Sequence, residues 1–361
     1  MSIVSAFSVS KALDKNKYEV VLLGIDKSGR WLLPEQSRLT LEGPQSKDPW
    51  KYSLSGHNET VAFVPYEGDS AVVAVGKNSP QAALLGPVDV VLPILHGTYG
   101  EDGTVQGLLE LANVPFVGAG VLGSAIGMDK DVAKRLLAAG GIPVVPWLTV
   151  RRSEFETNPG VVLDAAESKF GYPYFVKPAN MGSSVGVHKV KSRKTAQADL
   201  KDTFQYDTKT LIEKAIPARE LEVSVLGNAE PRASVVGEII PSHEFYSYEA
   251  KYVDQHGADL MIPAPGLSDA QTKTIQTYAT RAFQAIECRG MARVDFFMDK
   301  TTGEIYLNEL NTIPGFTSIS MYPKLWEATG LKYADLLDEL IRLALESHME
   351  RSSLKTAYAP K

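Results

Sequence analysis

The chain has 361 residues, 44% of them hydrophobic and 22% charged, with a formal net charge of −6. A length above about 300 residues exceeds one ordinary core, so two or three packed units are expected. The negative balance excludes broad electrostatic attraction to nucleic acid or anionic lipid, and no apolar run is long enough to span a bilayer. The single cysteine, Cys288, excludes an internal disulfide framework and fits a reducing cytoplasm, where it reads as a buried small hydrophobe.

In chain order, apolar β-branched runs alternate with helical patterns, the signature of an α/β protein. A helix is expected over 2–13, a strand over 18–25, then a Gly/Pro/Ser-rich polar stretch over 41–58. The run 88–94 is apolar almost throughout, as in a strand buried on both faces of an open parallel sheet. It leads into His96-Gly-Thr-Tyr-Gly-Glu-Asp-Gly103 and a helix over 104–111, the position where open α/β sheets place ligands. A second unit begins near Val121, with a helix over 130–139 stopped by Gly140-Gly141 and Pro143. Strands follow at 174–176, 187–190, 210–213 and 220–226. The third unit holds a strand over 234–240, an irregular stretch over 242–260 and a helix over 270–286. A hairpin, 291–298 with 304–310, then turns through Asp299–Gly303, and an amphipathic helix over 333–346 closes the chain.

Gly182-Ser-Ser-Val-Gly186 has the composition of a phosphate cradle, yet alone it reads equally as a hairpin turn. Lys177 at the end of the preceding strand favours a flexible lid over phosphates, with a lysine reaching in from its base. Gly118-Ala-Gly-Val-Leu-Gly123 matches the dinucleotide fingerprint, but no acidic residue stands about 20 positions on, so it reads as a linking turn.

The hairpin carries the most informative spacing. Side chains two apart on a strand share a face, so Arg293 and Asp295 point together, as do Glu309 and Asn311. Pairing through the turn sets Asp295 opposite Glu309, with Val294 and Phe296 on the other side. Two carboxylates and a carboxamide are hard-oxygen donors suited to Mg²⁺. The patch runs into Asn311-Thr-Ile-Pro-Gly-Phe-Thr-Ser-Ile-Ser320, a Gly/Pro turn suited to holding a carboxylate or an oxyanion.

With Met128-Asp-Lys130, Phe175-Val-Lys-Pro178, Asn308-Glu-Leu-Asn311, Pro314-Gly-Phe-Thr317 and Tyr246-Ser-Tyr-Glu-Ala-Lys-Tyr252, these motifs resemble the D-alanine–D-alanine ligase family. The resemblance runs in order over nearly the whole chain. It implies a three-domain ATP-grasp ligase: an N-terminal open parallel-sheet unit (1–121), a central subdomain (122–215) and a C-terminal subdomain (216–361).

It also implies roles. Lys130, Lys177, Ser184, Glu213, Lys214, Ile216, Glu220 and Lys251 would bind ATP, with Glu213 at the adenine edge and Glu220 at the ribose. Asp295, Glu309 and Asn311 would hold two Mg²⁺ ions, for which Mn²⁺ can substitute, with K⁺ assisting. Arg293 and the Gly315 N–H would stabilise an oxyanion, and Ser183 and Tyr252 would tie the glycine-rich loop to a mobile loop. His96, Ser320 and Met321 would line the D-alanine sites; Tyr246 and Tyr248 read as loop packing. A cytoplasmic homodimer follows by the same resemblance, with D-alanine and ATP as its small-molecule partners.

One departure stands out. The family opens with a β-strand, a glycine pair and a Glu that holds the first substrate's ammonium, whereas Met1-Ser-Ile-Val-Ser resembles the helix after that Glu. Removing a central strand orphans backbone groups at about 1–3 kcal/mol each. The expectation is therefore a start placed too far downstream, or, if the short form is native, weak first-substrate binding or a non-catalytic ATP-binding relative. A D-Ser or D-lactate acceptor stays within the same chemistry, and Tyr252 argues against the lactate type.

Overall fold

The computed structural model describes residues 2–26, 29–32, 59–66, 69–76, 79–241, 258–317 and 319–355. Among the described residues the strands form three antiparallel sheets.

The N-terminal region begins with α1 (Ser2–Ala12), which lays Val9 on the closing helix α10 (Tyr333–Ser352). A meander of β1 (Glu59–Tyr66), β2 (Asp69–Gly76) and β3 (Ser79–Pro87) follows, with pairing of β1 to β2 and β2 to β3. The sequence pattern does not disclose this meander, since its alternation is broken by small residues. The strands expected at 18–25 and 88–94 correspond to extended runs rather than ladders. Among the described residues the first makes the isolated bridge Ile25 to Trp31, and the second a parallel bridge, Val91 to Phe116. An extended run becomes a strand only where a neighbour supplies successive backbone partners, and among the described residues Val91 exchanges bonds with Pro115 and Val117. Helix α2 (Thr104–Leu111) covers this region with Val105 and Leu109.

The segment read as a linking turn is half turn, half helix: α3 (Val121–Met128) starts after Gly120. Its glycines serve close packing. A Cβ on Gly290 would come within 3.0 Å of Gly118 N, and one on Gly123 within 2.8 Å of Glu287 O. Gly290 also has φ +69°, a left-handed conformation in which an L side chain is strained. Replacing Gly290 by Ala is expected to destabilise the protein by about 2–4 kcal/mol, from backbone strain plus overpacking. Urea denaturation measures this, and a loss below about 0.5 kcal/mol, an ordinary surface effect, would contradict it.

Helix α4 (Lys130–Ala139) is capped by Asp129, whose carboxylate accepts from Val132 N at 3.0 Å. It packs Leu137 into the C-terminal core. The central sheet, in order β4 (Trp147–Arg151), β7 (Lys209–Lys214), β5 (Tyr174–Pro178), β6 (His188–Val190), is backed by α5 (Arg152–Thr157), α6 (Pro159–Phe170) and α7 (Arg193–Thr203).

The third sheet has the order β10 (Ala258–Met261), β9 (Arg232–Pro241), β8 (Ala218–Gly227), β11 (Gly290–Asp299), β12 (Ile305–Asn311). Alternation gives it two chemically distinct faces. Val223, Val225, Val294 and Phe296 pack under α8 (Asp269–Ala285), which starts in a Ser268/Gln271 capping box. The opposite face carries Glu220, Glu222, Arg293 and Asp295. Helix α9 (Met321–Ala328) packs Met321 and Leu325 against Ile239.

Candidate active site

The central and C-terminal sheets meet at β12. Leu307 bonds to Pro143 and Val145 through its backbone, and Lys177 Nζ lies 3.4 Å from Asn308 Oδ1. Asn308 is the extra residue of a β-bulge: Phe296 pairs with Leu307, while Asp295 pairs with Glu309. The bulge keeps Leu307 fully buried in the core and still turns Glu309 to the cleft, next to Asp295. Arg293 pairs with Asn311, so the four residues expected on one patch do share it.

Arg293 is held by three charge contacts. Nε donates to Asp295 Oδ1 at 2.8 Å and Nη2 to Asp295 Oδ2 at 2.7 Å. Glu222 Oε2 lies 3.0 Å from the same Nε, in charge contact. Burial works against the guanidinium's charge, but Asp295 and Glu222 override it and raise the pKa well above the ordinary arginine value. Asn311 Nδ2 completes the ring on Asp295 Oδ2 at 3.0 Å.

Across the cleft, Lys134 and Lys177 flank Glu213. The Lys177 ion pair is 2.7 Å and the Lys134 pair 3.1 Å, with both Lys134 and Glu213 side chains only 2% exposed. Burial alone would raise the Glu213 pKa; the two ammonium groups prevail and lower it to about 2. Lys177 is shifted upward, because Glu213 outweighs its desolvation. Lys130 is shifted downward by burial, against the pull of Glu309. Its Nζ donates to Met181 O at 2.6 Å, at the entry to the glycine-rich loop.

That loop joins β5 to β6 as a hairpin. Ser183, Ser184 and Gly186 all have positive φ, of 55°, 58° and 68°, and Val185 N donates to Gly182 O at 3.2 Å, closing a tight turn. Thr98 Oγ1 touches Met181 Sδ at 3.7 Å, linking this loop to the His96–Gly103 segment.

His96 lines the site without being charged. Its Nδ1 lies 3.1 Å from the Ile313 carbonyl, so Nδ1 carries the proton and Nε2 faces the Ser5 hydroxyl at 3.5 Å. Burial lowers its pKa to about 4 from 6.5. The unfolded chain therefore takes the proton first, and stability falls as the pH drops from 6.5 toward 4. Urea denaturation at pH 7.5 and pH 5 is expected to differ by about 2 kcal/mol from this group, and His96→Gln to remove that part of the slope.

The turn after β12 is tethered on all sides. Phe316 N donates to Ser5 Oγ at 3.3 Å, and Tyr333 Oη donates to Phe316 O at 2.8 Å. Ser320 Oγ accepts from Thr317 N at 2.9 Å and fills the space a Cβ on Gly315 would need, 2.7 Å away. Met321 puts its side chain in the core at 4% exposure, and its backbone amide stands in the first turn of α9.

Of the other expected ATP contacts, Glu220 is half-buried on the Arg293 face, Lys214 is exposed and Ile216 half-buried in the β7–β8 connection. Lys251, Tyr252, Tyr246 and Tyr248 lie outside the described residues. Cys288 is buried and its pKa raised by burial, in keeping with a small core residue.

Sequence reading missed four participants. Lys134 is a charged residue on the apolar face of α4, between Ala133 and Leu137, which was its available signal. Glu222 stands two residues from Glu220 on one strand. Ser5 gave no signal at all. Glu101 lies inside the His96–Gly103 motif; it accepts from Gly97 N, and burial pushes its carboxyl up to about 7, with Arg293 and Lys130 pulling the other way.

Among the described residues no three His, Cys, Asp or Glu side chains gather as a metal cage. Two carboxylates and a carboxamide are nonetheless the donor set of an ion that takes its remaining ligands from phosphate and water, and Asp295 and Glu309 in register fit it.

Two antiparallel sheets closing on a cleft, lysines on one side and a carboxylate-bearing hairpin on the other, define an ATP-grasp enzyme. The family description "D-ala D-ala ligase N-terminus" matches residues 1–119 and "D-ala D-ala ligase C-terminus" residues 136–342. The chain is 47% identical over 357 residues to the D-alanine–D-alanine ligase of Oceanobacillus iheyensis, covering 99% of this chain and 94% of that one. The D-alanine–D-alanine ligase of Coxiella burnetii superposes with a TM-score of 0.77 at 37% identity, over 97% of this chain and 92% of that one. A D-Ala:D-Ser ligase from Enterococcus faecalis gives 0.75 at 34% identity, over 95% and 94%. This chain belongs to the D-alanine–D-alanine ligase family.

Proposed function

We propose that the chain joins two D-alanines into D-alanyl-D-alanine at the expense of ATP, for peptidoglycan precursor synthesis. The observation that carries this is the register of Arg293, Asp295, Glu309 and Asn311 on one face, beside the Lys134–Glu213–Lys177 cluster. ATP lies between the central and C-terminal units, with Lys130, Lys177 and the 182–186 loop at its phosphates. Glu213 faces the adenine edge and Glu220 the ribose.

The first D-alanine carboxylate attacks the γ-phosphorus, giving an acyl phosphate and ADP. The amine of the second D-alanine then adds to the acyl carbon, and phosphate leaves from the tetrahedral intermediate. Arg293 and the Gly315 N–H face the developing oxyanion, while Ser320 and the Met321 amide orient the second carboxylate. Asp295, Glu309 and Asn311 would hold Mg²⁺, or Mn²⁺ in its place, which neutralises phosphate charge when bound. By the family resemblance Ser183 and Tyr252 would tie the glycine-rich loop to the 242–260 segment and keep water from the acyl phosphate. K⁺ assistance, a homodimer and a cytoplasmic site complete the proposal. Among the described residues no helix is long and apolar enough to cross a membrane.

The test is incubation with ATP, Mg²⁺ and D-alanine, with dipeptide and ADP both quantified. One ADP per D-alanyl-D-alanine is expected. Preference for D-serine in competition, as the likeness to a D-Ala:D-Ser ligase allows, would overturn the acceptor assignment. ATP binding without turnover would overturn the activity.

A further inference from the structure

Glu222 has no part in the reaction proposed above, yet it occupies a demanding position. The register across three strands sets Glu222 opposite Asp295, and Asp295 opposite Glu309, so three carboxylates form one row. Like charges directly opposite on a sheet destabilise it. A buried carboxylate must have a counter-charge, and Glu222 is only 5% exposed. Its neighbour on the far strand is Gly237, above which Met321 and Leu325 pack so closely that a Cβ would meet them at 2.5 and 2.8 Å. The packing on that side is apolar, and Arg293 Nε lies 3.0 Å from Glu222 Oε2, in charge contact.

Arg293 is thus shared between Glu222 and Asp295, while both oxygens of Asp295 are occupied by Arg293 and Asn311. A divalent cation binding Asp295 must displace part of this shell and repels the guanidinium. We propose that Glu222 is a positioning residue that retains Arg293 when Asp295 turns to the metal, so that the metal and the arginine occupy the site together. This rests on the proposed metal-binding role of Asp295. Without Glu222 the guanidinium loses its charge contact outside the metal site, Asp295 and Glu309 being the proposed metal ligands, and metal and arginine compete for the same carboxylates.

The experiment is Mn²⁺ binding in the presence of ADP, followed by electron paramagnetic resonance, for the wild type, Glu222→Gln, Arg293→Met and the double variant. Glu222→Gln is expected to weaken Mn²⁺ binding by about 10-fold, the effect typical of losing an outer-shell partner. In the Arg293→Met background the same substitution is expected to change it by less than about 2-fold, because Glu222 acts through Arg293. Metal-free ADP affinity, unchanged in Glu222→Gln, shows that the cleft is folded. Glu222→Asp is expected to recover part of the loss.

Unchanged Mn²⁺ affinity in Glu222→Gln would overturn the proposal, as would an equal loss in both backgrounds, which would make Glu222 a plain negative charge or a ligand. A wild-type chain that binds no Mn²⁺ with ADP would remove the metal site itself and this role with it. Wild-type binding with an indifferent Glu222→Gln would remove the role alone.

Discussion

Arg293→Lys is expected to lower kcat by about 10²–10³-fold while the KM for ATP stays within a few-fold. The substitution keeps the charge and loses the fork. One planar guanidinium donates to both oxygens of Asp295, at 2.8 and 2.7 Å, and stays 3.0 Å from Glu222. An ammonium is a point charge that cannot hold that planar pair of bonds. The carboxylate and the positive charge facing the tetrahedral intermediate would then both be misplaced. Since the interaction strengthens as the oxyanion forms, the loss falls on kcat. Steady-state kinetics with saturating D-alanine read it directly, and a kcat within about five-fold of wild type would contradict a transition-state role.

The second large effect is on stability. Glu213→Gln leaves Lys134, whose side chain is 2% exposed, with the Val145 carbonyl at 3.3 Å in place of its ion pair. Breaking one partner of a buried ion pair costs about 3–5 kcal/mol, whereas removing both is near neutral. Urea denaturation should therefore show a large loss for Glu213→Gln and a much smaller one for Lys134→Met with Glu213→Gln. Equal losses would mean that the buried charge is not the cause. The pH sense follows from the depressed Glu213 pKa of about 2 against 4.5: its stabilisation is complete above pH 4.5 and is lost as the pH falls toward 2.

These residues also show what a sequence can and cannot disclose. The hairpin register was legible because alternation and the Asp299–Gly303 turn leave one pairing that buries Val294 and Phe296 together. The bulge at Asn308 was not, since an extra residue changes no composition and is chosen by packing of Leu307. Helices α2 and α4 match their expected bounds, α4 because its Asp129 cap and Gly140-Gly141 stop are local signals. The runs expected as strands at 18–25 and 88–94 are extended but make single bridges among the described residues, because a ladder depends on its neighbours, which periodicity does not report. Lys134 and Ser5 were missed for a related reason: each is defined by contacts distant in sequence, to Glu213 and to His96 and Phe316.

The most direct test of the central claim follows an oxygen atom. D-Alanine labelled with ¹⁸O in its carboxylate is incubated with the enzyme, ATP and Mg²⁺, and the released phosphate is analysed by mass spectrometry. Attack of that carboxylate on the γ-phosphorus places one labelled oxygen in each phosphate, in step with D-alanyl-D-alanine. Unlabelled phosphate accompanying dipeptide would contradict an acyl phosphate, and with it the oxyanion-stabilising roles of Arg293 and Gly315.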